Sequence, residues 1–521
     1  MTFGSPLAED VPPFLIALGL IIGLIIICEL LKKFLGVSTR VTRKIVHIGT
    51  GVFVFFAPYF FKSNFYPALI PLLFIPFNLL AVRFGWLQSL HGTDARAHHS
   101  ADSTINYGTV YFPISFLLLT LLCWGDYVWI MQTAMLVLGL GDSAAAIVGE
   151  NVKNPHQYKF STVKSLEGSL TMFIVSFTTI YLCLLYFMPN VPKLQVLDAA
   201  MVLGFSLSLA LIATAVEALL SGGADNLFVP LAVAYPLGIM EIQGIETVQN
   251  VILGVAISGV VARASLSLKF LSASGATATF LLASNIFSMG GIVWTVPIMT
   301  FFVLSSILSK LGKAQKKKYD LVFEKSSQRD MGQVFANGGI GWILMIWYSF
   351  VTDSGLRDLI YIGYLGTIAA VQADTWATEI GTIVRNPKPV SIVNFKPVPA
   401  GTSGGITWIG TLGALLGALV ICASAWLSNW DKMHELGVLS SFALIGGAGL
   451  FSSLVDSFLG ATLQAQYYDP IRQKITERTH SMKDDGTLIE NELQKGYRWM
   501  DNDLVNFICG ITGAGIAILL R

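Results

Sequence analysis

The stretch "FSTVKSLEGSLTMFIVSFTTIYLCLLYFM" (160–188) sets the architecture. From Leu170 to Met188 it carries no charge and approaches the ~20 residues that a helix needs to cross a bilayer. Directly before that run stand Lys164 and Glu167. Charge beside a membrane span is costly unless something uses it. The same design, small polar residues and glycines before an apolar run, returns at "FKPVPAGTSGG" (395–405).

Working outward, apolar runs fall near 13–31, 45–61, 66–83, 109–125, 128–149, 169–188, 196–220, 227–241, 248–263, 271–288, 291–309, 335–352, 356–382, 405–427, 437–462 and 504–520. The 521 residues are 54% hydrophobic and 12% charged, where soluble domains carry about 25% charged residues. The fold class expected is therefore an all-α polytopic membrane protein of about 16 transmembrane helices. The acidic opening "MTFGSPLAEDVPPF" lacks the basic start of a signal peptide, so the first run is expected to be retained. A net charge of +1 argues against a nucleic-acid surface. The five cysteines (Cys28, Cys123, Cys183, Cys422, Cys509) form no CxxC or Cys/His cluster, so neither a zinc site nor a disulfide framework is suggested.

Basic loops follow the runs ending near 31, 149, 309 (with Lys316–Lys318), 382 and 462. With the N-terminus outside, all of them lie on one side. The positive-inside rule makes that side cytoplasmic.

The chain also echoes itself. "GLGDSAAAIVGE" (139–150) and "AVQADTWATEIG" (370–381) each end an apolar run. Asp142, Ala146 and Gly149 share one helical stripe, as do Asp374, Thr378 and Gly381. Lys164 stands 22 residues after Asp142, and Lys396 stands 22 after Asp374. Two runs further on come "AVEALLSGGADNLFVPL" (215–231), with Glu217, Asp225 and Asn226, and "SLVDSFLGATLQ" (453–464), with Asp456. The halves read as two parallel eight-helix repeats, 1–243 and 244–521.

Asp142, Glu217 and Asp225 then converge with Lys164 near one membrane face. Converging carboxylates suit a hard cation such as Mg²⁺. A helix start with Gly168 and Ser169 offers free backbone N–H groups to an anion. Together they form a Mg²⁺–nucleotide phosphate site without a G-x-x-x-x-G-K-[ST] loop, which is absent. Each piece alone has a plainer reading. A single aspartate caps a helix, Glu167 is a first-turn acid, and Gly/Ala stripes pack helices. The same order of acid, lysine, glycine turn and second acid, met twice, favours a site.

At these residues a resemblance becomes specific. The first half resembles the phytol kinase/dolichol kinase family of CTP-dependent polyprenol kinases, through "TRKIVHIGTG" (42–51), "YGTVYFP" (107–113), "GLGDSAAAIVGE", "KFSTVKSLEGS" and "EALLSGGADNLFVPL". The second half resembles the phytyl-phosphate kinase family, through "RDMGQVFANGG" (329–339), "ADTWATEIG" (373–381), "VPAGTSGGITWIGT" (398–411), "LVDSFLGATLQ" (454–464) and "DNDLVNF" (501–507). The departure from both families is that they meet in one chain. The resemblance implies a bifunctional kinase that converts an isoprenoid alcohol (phytol, geranylgeraniol or farnesol type) to the monophosphate and then to the diphosphate.

Under that resemblance Asp142 with Glu217 or Asp225 would hold Mg²⁺, and Lys164, Ser165, Glu167, Gly168, Ser169 and Asn226 would meet the triphosphate. Arg43, Lys44 and His47 would contact phosphate or alcohol, with His47 or a carboxylate as base. In the second half Asp374, Glu379, Asp456, Asp501 and Asp503 would be the acids. Gly401, Thr402, Ser403, Gly404, Gly405, Asn502, Asn506 and Lys396, with Arg385 and Lys388, would bind phosphate. The prenyl tail would stay in membrane lipid while the head meets cytosolic CTP or another nucleoside triphosphate. The polar insert 464–503 is expected to cap the second site. Two other classes remain open. A CTP-dependent lipid cytidylyltransferase would release pyrophosphate. A repeat-built transporter would place its polar residues near the midplane.

Overall fold

The computed structural model describes residues 3–86, 106–316, 328–383, 388–483 and 487–521. The Lys317–Lys318 part of the basic run and Arg385 lie outside them. The chain divides into two compact units, Met1–Ile252 and Leu253–Arg521. The expected division at 243/244 sits at Gly244, which ends a helix in a positive-φ conformation (φ 94°). The unit continues past it because the next helix packs back. Val248 and Val251 are buried, and a Cβ on Gly204 would meet Ile252 Cδ1 at 2.9 Å.

The first unit holds α1 (Val11–Leu35), α2 (Thr39–Phe56), α3 (Phe65–Phe84), α4 (Gly108–Cys123), α5 (Val128–Asn151), α6 (Leu166–Phe187), α7 (Ala199–Leu219), α8 (Asp225–Gln243) and the start of α9 (Glu246–Ser267). Left-handed Gly36 closes α1, and the Ser38 side chain accepts the Val41 N–H to start α2. Helix α2 crosses α5 where glycine faces glycine. A Cβ on Gly51 would lie 3.0 Å from Gly139 Cα, so no larger residue fits this crossing. At this crossing, over Leu138–Asp142, α5 widens into a π-turn, a feature frequent at functional sites.

The second unit holds α10 (Ala273–Lys316), α11 (Met331–Phe350), α12 (Ser354–Ile383), α13 (Trp408–Ser428), α14 (Val438–Thr462) and α15 (Asn502–Leu519). Helix α12 is central. Its Tyr364, Leu365, Ile368 and Ala369 are fully buried, and Tyr364 Oη donates to the Trp294 carbonyl at 2.5 Å. Neighbouring helices approach it through small residues, as where a Cβ on Gly449 would meet Ala418 Cβ at 2.6 Å and the Ala369 carbonyl at 2.9 Å.

Each of the sixteen apolar runs coincides with a helix or part of one. The runs 271–288 and 291–309 share α10, which breaks at Gly291 (φ 59°, ψ −154°). Among the described residues, eleven helices are long and apolar enough to cross a membrane. Helices α2 (with Arg40, Arg43 and Lys44), α11 and α12 are not among them, and α4 has only 16 residues.

The chain is mostly helical, but its loops hold short strands that an all-α reading omits. β1 (Gln157–Lys159) pairs with β2 (Val163–Ser165), and β3 (Val390–Ser391) pairs with β4 (Gly405–Ile406), both antiparallel. The insert folds into β5 (Gln466–Asp469), β6 (Lys474–Thr476), β7 (His480–Met482), β8 (Leu488–Glu490) and β9 (Glu492–Lys495), as a β6-β5-β9 sheet and a β7-β8 hairpin. All five cysteines are free and buried.

Candidate functional site

In the first unit, four segments distant in sequence bring their charges together. The π-turn of α5 supplies Asp142, the end of α7 supplies Glu217, and the start of α8 supplies Asp225. One carboxylate oxygen from each lies within 4.8 Å of the others. Strand β2 adds Lys164, whose Nζ sits 2.6 Å from Glu217 Oε1 and also donates to the Glu217 carbonyl. Helix α2 adds Lys44, 2.8 Å from Asp142 Oδ2, and His47, whose Nε2 is 3.7 Å from the same oxygen.

Local sequence explains these placements. A hairpin, β1–β2, carries Lys164 to the mouth of α6, where the Ser165 side chain accepts the Gly168 N–H at 3.2 Å. Gly149 lets α5 pass this cap closely, since a Cβ there would lie 2.8 Å from Ser165 Oγ. The "SGG" before α8 turns through positive φ at Gly222 and Gly223, and a Cβ on Gly223 would strike the Gly108 N at 2.2 Å. That contact locks the α4 start to the α8 start, where Asn226 Nδ2 donates to the Gly108 carbonyl at 3.0 Å.

Three carboxylates face two lysines here. Burial alone would lower the Lys164 pKa, but the Glu217 and Asp225 carboxylates outweigh it and hold the ammonium above its ordinary value. Lys164 is therefore a fixed positive charge. Glu217 Oε2 is buried with no hydrogen-bond partner. An orphaned carboxylate oxygen beside two further carboxylates is a hard-oxygen donor set, and it fits a divalent cation such as Mg²⁺. Two expected phosphate contacts are engaged elsewhere. Glu167 accepts the His156 N–H and ring nitrogen (2.7 Å), and Ser169 Oγ bonds Tyr158 Oη at 2.6 Å.

In the second unit a cavity of about 670 Å³ gathers most of the residues expected there: Asp374, Glu379, Asp456, the 401–405 turn, Asn502 and Asn506. Asp374 and Asp456 lie within hydrogen-bonding reach of each other, and Asp456 Oδ2 has no partner. Ser309 Oγ donates to Glu379 Oε1 at 2.6 Å. Gly404 (φ 79°) lays the turn on α14, where a Cβ would meet Ala461 Cβ at 2.3 Å.

Other expected residues stand apart. Asp501 caps α15, accepting the Leu504 N–H at 2.9 Å, and neither it nor Asp503 lines the cavity. Lys388, just before β3, and Lys396, in the β3–β4 loop, are exposed and do not line the cavity. Thr407 caps α13 by accepting the Gly410 N–H at 3.0 Å, and Gly410 packs on Gly381. The Ser165–Gly168–Gly149 arrangement thus recurs as Thr407–Gly410–Gly381. The residue before the cap is Lys164 in one and Ile406 in the other.

Among the described residues, the cations lining the cavity are Arg329 and Arg478, which were not singled out from sequence. Arg329 opens the quoted "RDMGQVFANGG", directly before the Asp330–Gln333 capping box of α11. That helix-start signal could have placed it at a helix mouth. Glu477, from the insert, also lines the cavity. Its Oε1 accepts from Ser403 Oγ (2.8 Å) and Gln464 Nε2 (2.9 Å).

Fold and helix composition define an integral membrane, multi-pass protein. Residues 256–514 match the family described as integral membrane protein DUF92, and the chain belongs to that family. It is 31% identical over 274 residues to Protein PGR of Arabidopsis thaliana, covering 50% of this chain and 92% of that protein. It is 30% identical over 231 residues to a Synechocystis protein named phytol kinase (43% and 90%). It is 23% identical over 252 residues to Protein VTE6, chloroplastic, of Arabidopsis thaliana (48% and 65%). No solved structure matches.

Proposed function

We propose that this protein is a membrane isoprenoid kinase with two sites, one in each unit. The first phosphorylates an isoprenoid alcohol and the second phosphorylates the resulting monophosphate. The observation that carries the reading is the convergence of Asp142, Glu217 and Asp225 on Lys164, Lys44 and His47. The relative named phytol kinase supports the kinase class and the alcohol. CTP as donor rests on the family resemblance. The basic loops support a cytoplasmic placement of both sites.

In the first step the alcohol oxygen bonds to the terminal phosphorus as the bond to the bridging oxygen breaks, and the nucleoside diphosphate leaves. The hydroxyl proton passes to His47 Nε2, which has no competing partner. Lys164 and Lys44 neutralise phosphate charge from fixed positions, and the α6 N-terminus offers backbone N–H groups. Asp142, Glu217 and Asp225 would hold Mg²⁺, which when bound offsets phosphate charge. Catalysis is positioning and neutralisation, as in other phosphoryl transfers.

In the second unit the acceptor is already an anion and needs no strong base. Asp374 and Asp456 would hold the cation there, the 401–405 turn meets the nucleotide, and Arg329 and Arg478 face the acceptor phosphate. Incubation of the purified protein with labelled prenols and each nucleotide, with mono- and diphosphate products resolved, tests the reading.

A further inference from the structure

A cavity of about 140 Å³ runs through the first unit from the charged cluster into the helices. One end is polar, with Lys44, His47, Asp142 and Asn226. The other is apolar, walled by Phe53 and Val54 of α2, Ile70 and Phe74 of α3, and Phe112 and Phe116 of α4. From Lys44 to Val54 the α2 wall is ~15 Å long, at 1.5 Å per helical residue.

The polar groups along the walls are already satisfied inside the protein. Thr50 Oγ1 donates to the Val46 carbonyl at 2.7 Å, and Asn78 Nδ2 donates to the Thr109 carbonyl at 2.8 Å. The exception is His47. Its ring packs edge-on against Phe112 (5.0 Å), while Nε2 is buried without a hydrogen-bond partner. A neutral imidazole can present an unprotonated Nε2 as an acceptor on the groove lining.

We infer that this groove binds the acceptor alcohol, with the hydroxyl on His47 Nε2 and the adjoining prenyl segment between α2, α3 and α4. The groove is smaller than the ~300 Å³ at which pockets for drug-sized ligands begin. It therefore holds only the segment next to the hydroxyl, and the rest of the chain continues into lipid. Specificity reads structure near the hydroxyl and ignores total chain length. The inference rests on the kinase reading for the identity of the alcohol, but not for its test.

The test uses full-length protein in nanodiscs and a prenol carrying a diazirine on the prenyl segment, a few carbons from the hydroxyl. Mass mapping is expected to find label within 70–74 and 112–116. Unlabelled geranylgeraniol and farnesol should compete equally, and excess phospholipid should not. Val54→Phe, which fills the groove, should cut labelling about tenfold with unchanged elution on gel filtration. Phe116→Ala, which widens it, should admit an alcohol branched beside the hydroxyl that the wild type rejects. Labelling elsewhere, labelling unchanged in Val54→Phe, competition by phospholipid, or preference for one chain length would each overturn the inference. Labelling needs no phosphoryl transfer, so a protein that labels as expected but makes no phosphate product would fail only the kinase reading.

Discussion

Lys164 Nζ and Glu217 Oε1 stand 2.6 Å apart, joining the hairpin before α6 to the end of α7. Neither side chain is more than 17% exposed. Removing one partner of such a pair leaves the other charge uncompensated. Lys164→Ala is expected to lower phosphorylation of prenol at least ~100-fold, the scale of losing one preorganised electrostatic group. Asp142→Asn should do the same, since it also releases Lys44. Both variants should still convert added prenyl monophosphate to diphosphate. Product analysis from the two substrates, side by side, checks this.

Asp374→Asn or Asp456→Asn should give the reverse pattern. Asparagine keeps the shape of each side chain, so the fold survives while an anionic oxygen is lost from the cavity. Monophosphate is expected to accumulate from prenol, with diphosphate falling at least ~100-fold. If each substitution stopped both reactions, the two sites would not be independent.

The insert reaches the second cavity through Glu477 and Arg478. Glu477→Gln should loosen its contacts with Ser403 and Gln464 and raise KM for prenyl monophosphate, leaving the first step unchanged. Deleting 470–492 should weaken the second step further. Diphosphate synthesis equal to wild type in the deletion variant would remove the insert from the mechanism.

Gly404 has both a positive φ and a backbone neighbour where a Cβ would go: Ala461 N lies 2.6 Å from that position. Gly404→Ala should destabilise the turn by more than ~1 kcal/mol. Thermal unfolding monitored in detergent should show a lower Tm, and the second step should fall with it.

The clustering of the candidate residues in the first unit was legible because its motifs are short and local. Asp142, Lys164, Glu217 and Asp225 each sit at a helix end or turn that sequence marks. The second site was less so, for a geometric reason. Equating Lys396 with Lys164 assumes loops of equal length, but 392–404 between β3 and β4 is much longer than 160–162 between β1 and β2. The cap correspondence aligns Ile406 with Lys164 instead. Arg329, Glu477 and Arg478 reach the cavity from segments far apart in the chain, which no spacing reveals. Asp501 resembled a ligand because an aspartate before a helix serves equally as a cap. The runs 271–288 and 291–309 read as two separate spans, because a glycine kink and a break between spans look alike in sequence.

The central claim is that the acids and lysines of the first unit transfer phosphate to an isoprenoid alcohol. The most direct measurement is incubation of purified wild-type and Asp142→Asn protein with labelled geranylgeraniol, Mg²⁺ and CTP, UTP or ATP in turn, resolving lipid and nucleotide products. The account predicts prenyl monophosphate and a nucleoside diphosphate from the wild type, with CTP the preferred donor, and neither product from Asp142→Asn. Pyrophosphate with a CDP-lipid would make it a cytidylyltransferase, and no lipid product with any nucleotide would contradict the kinase account outright.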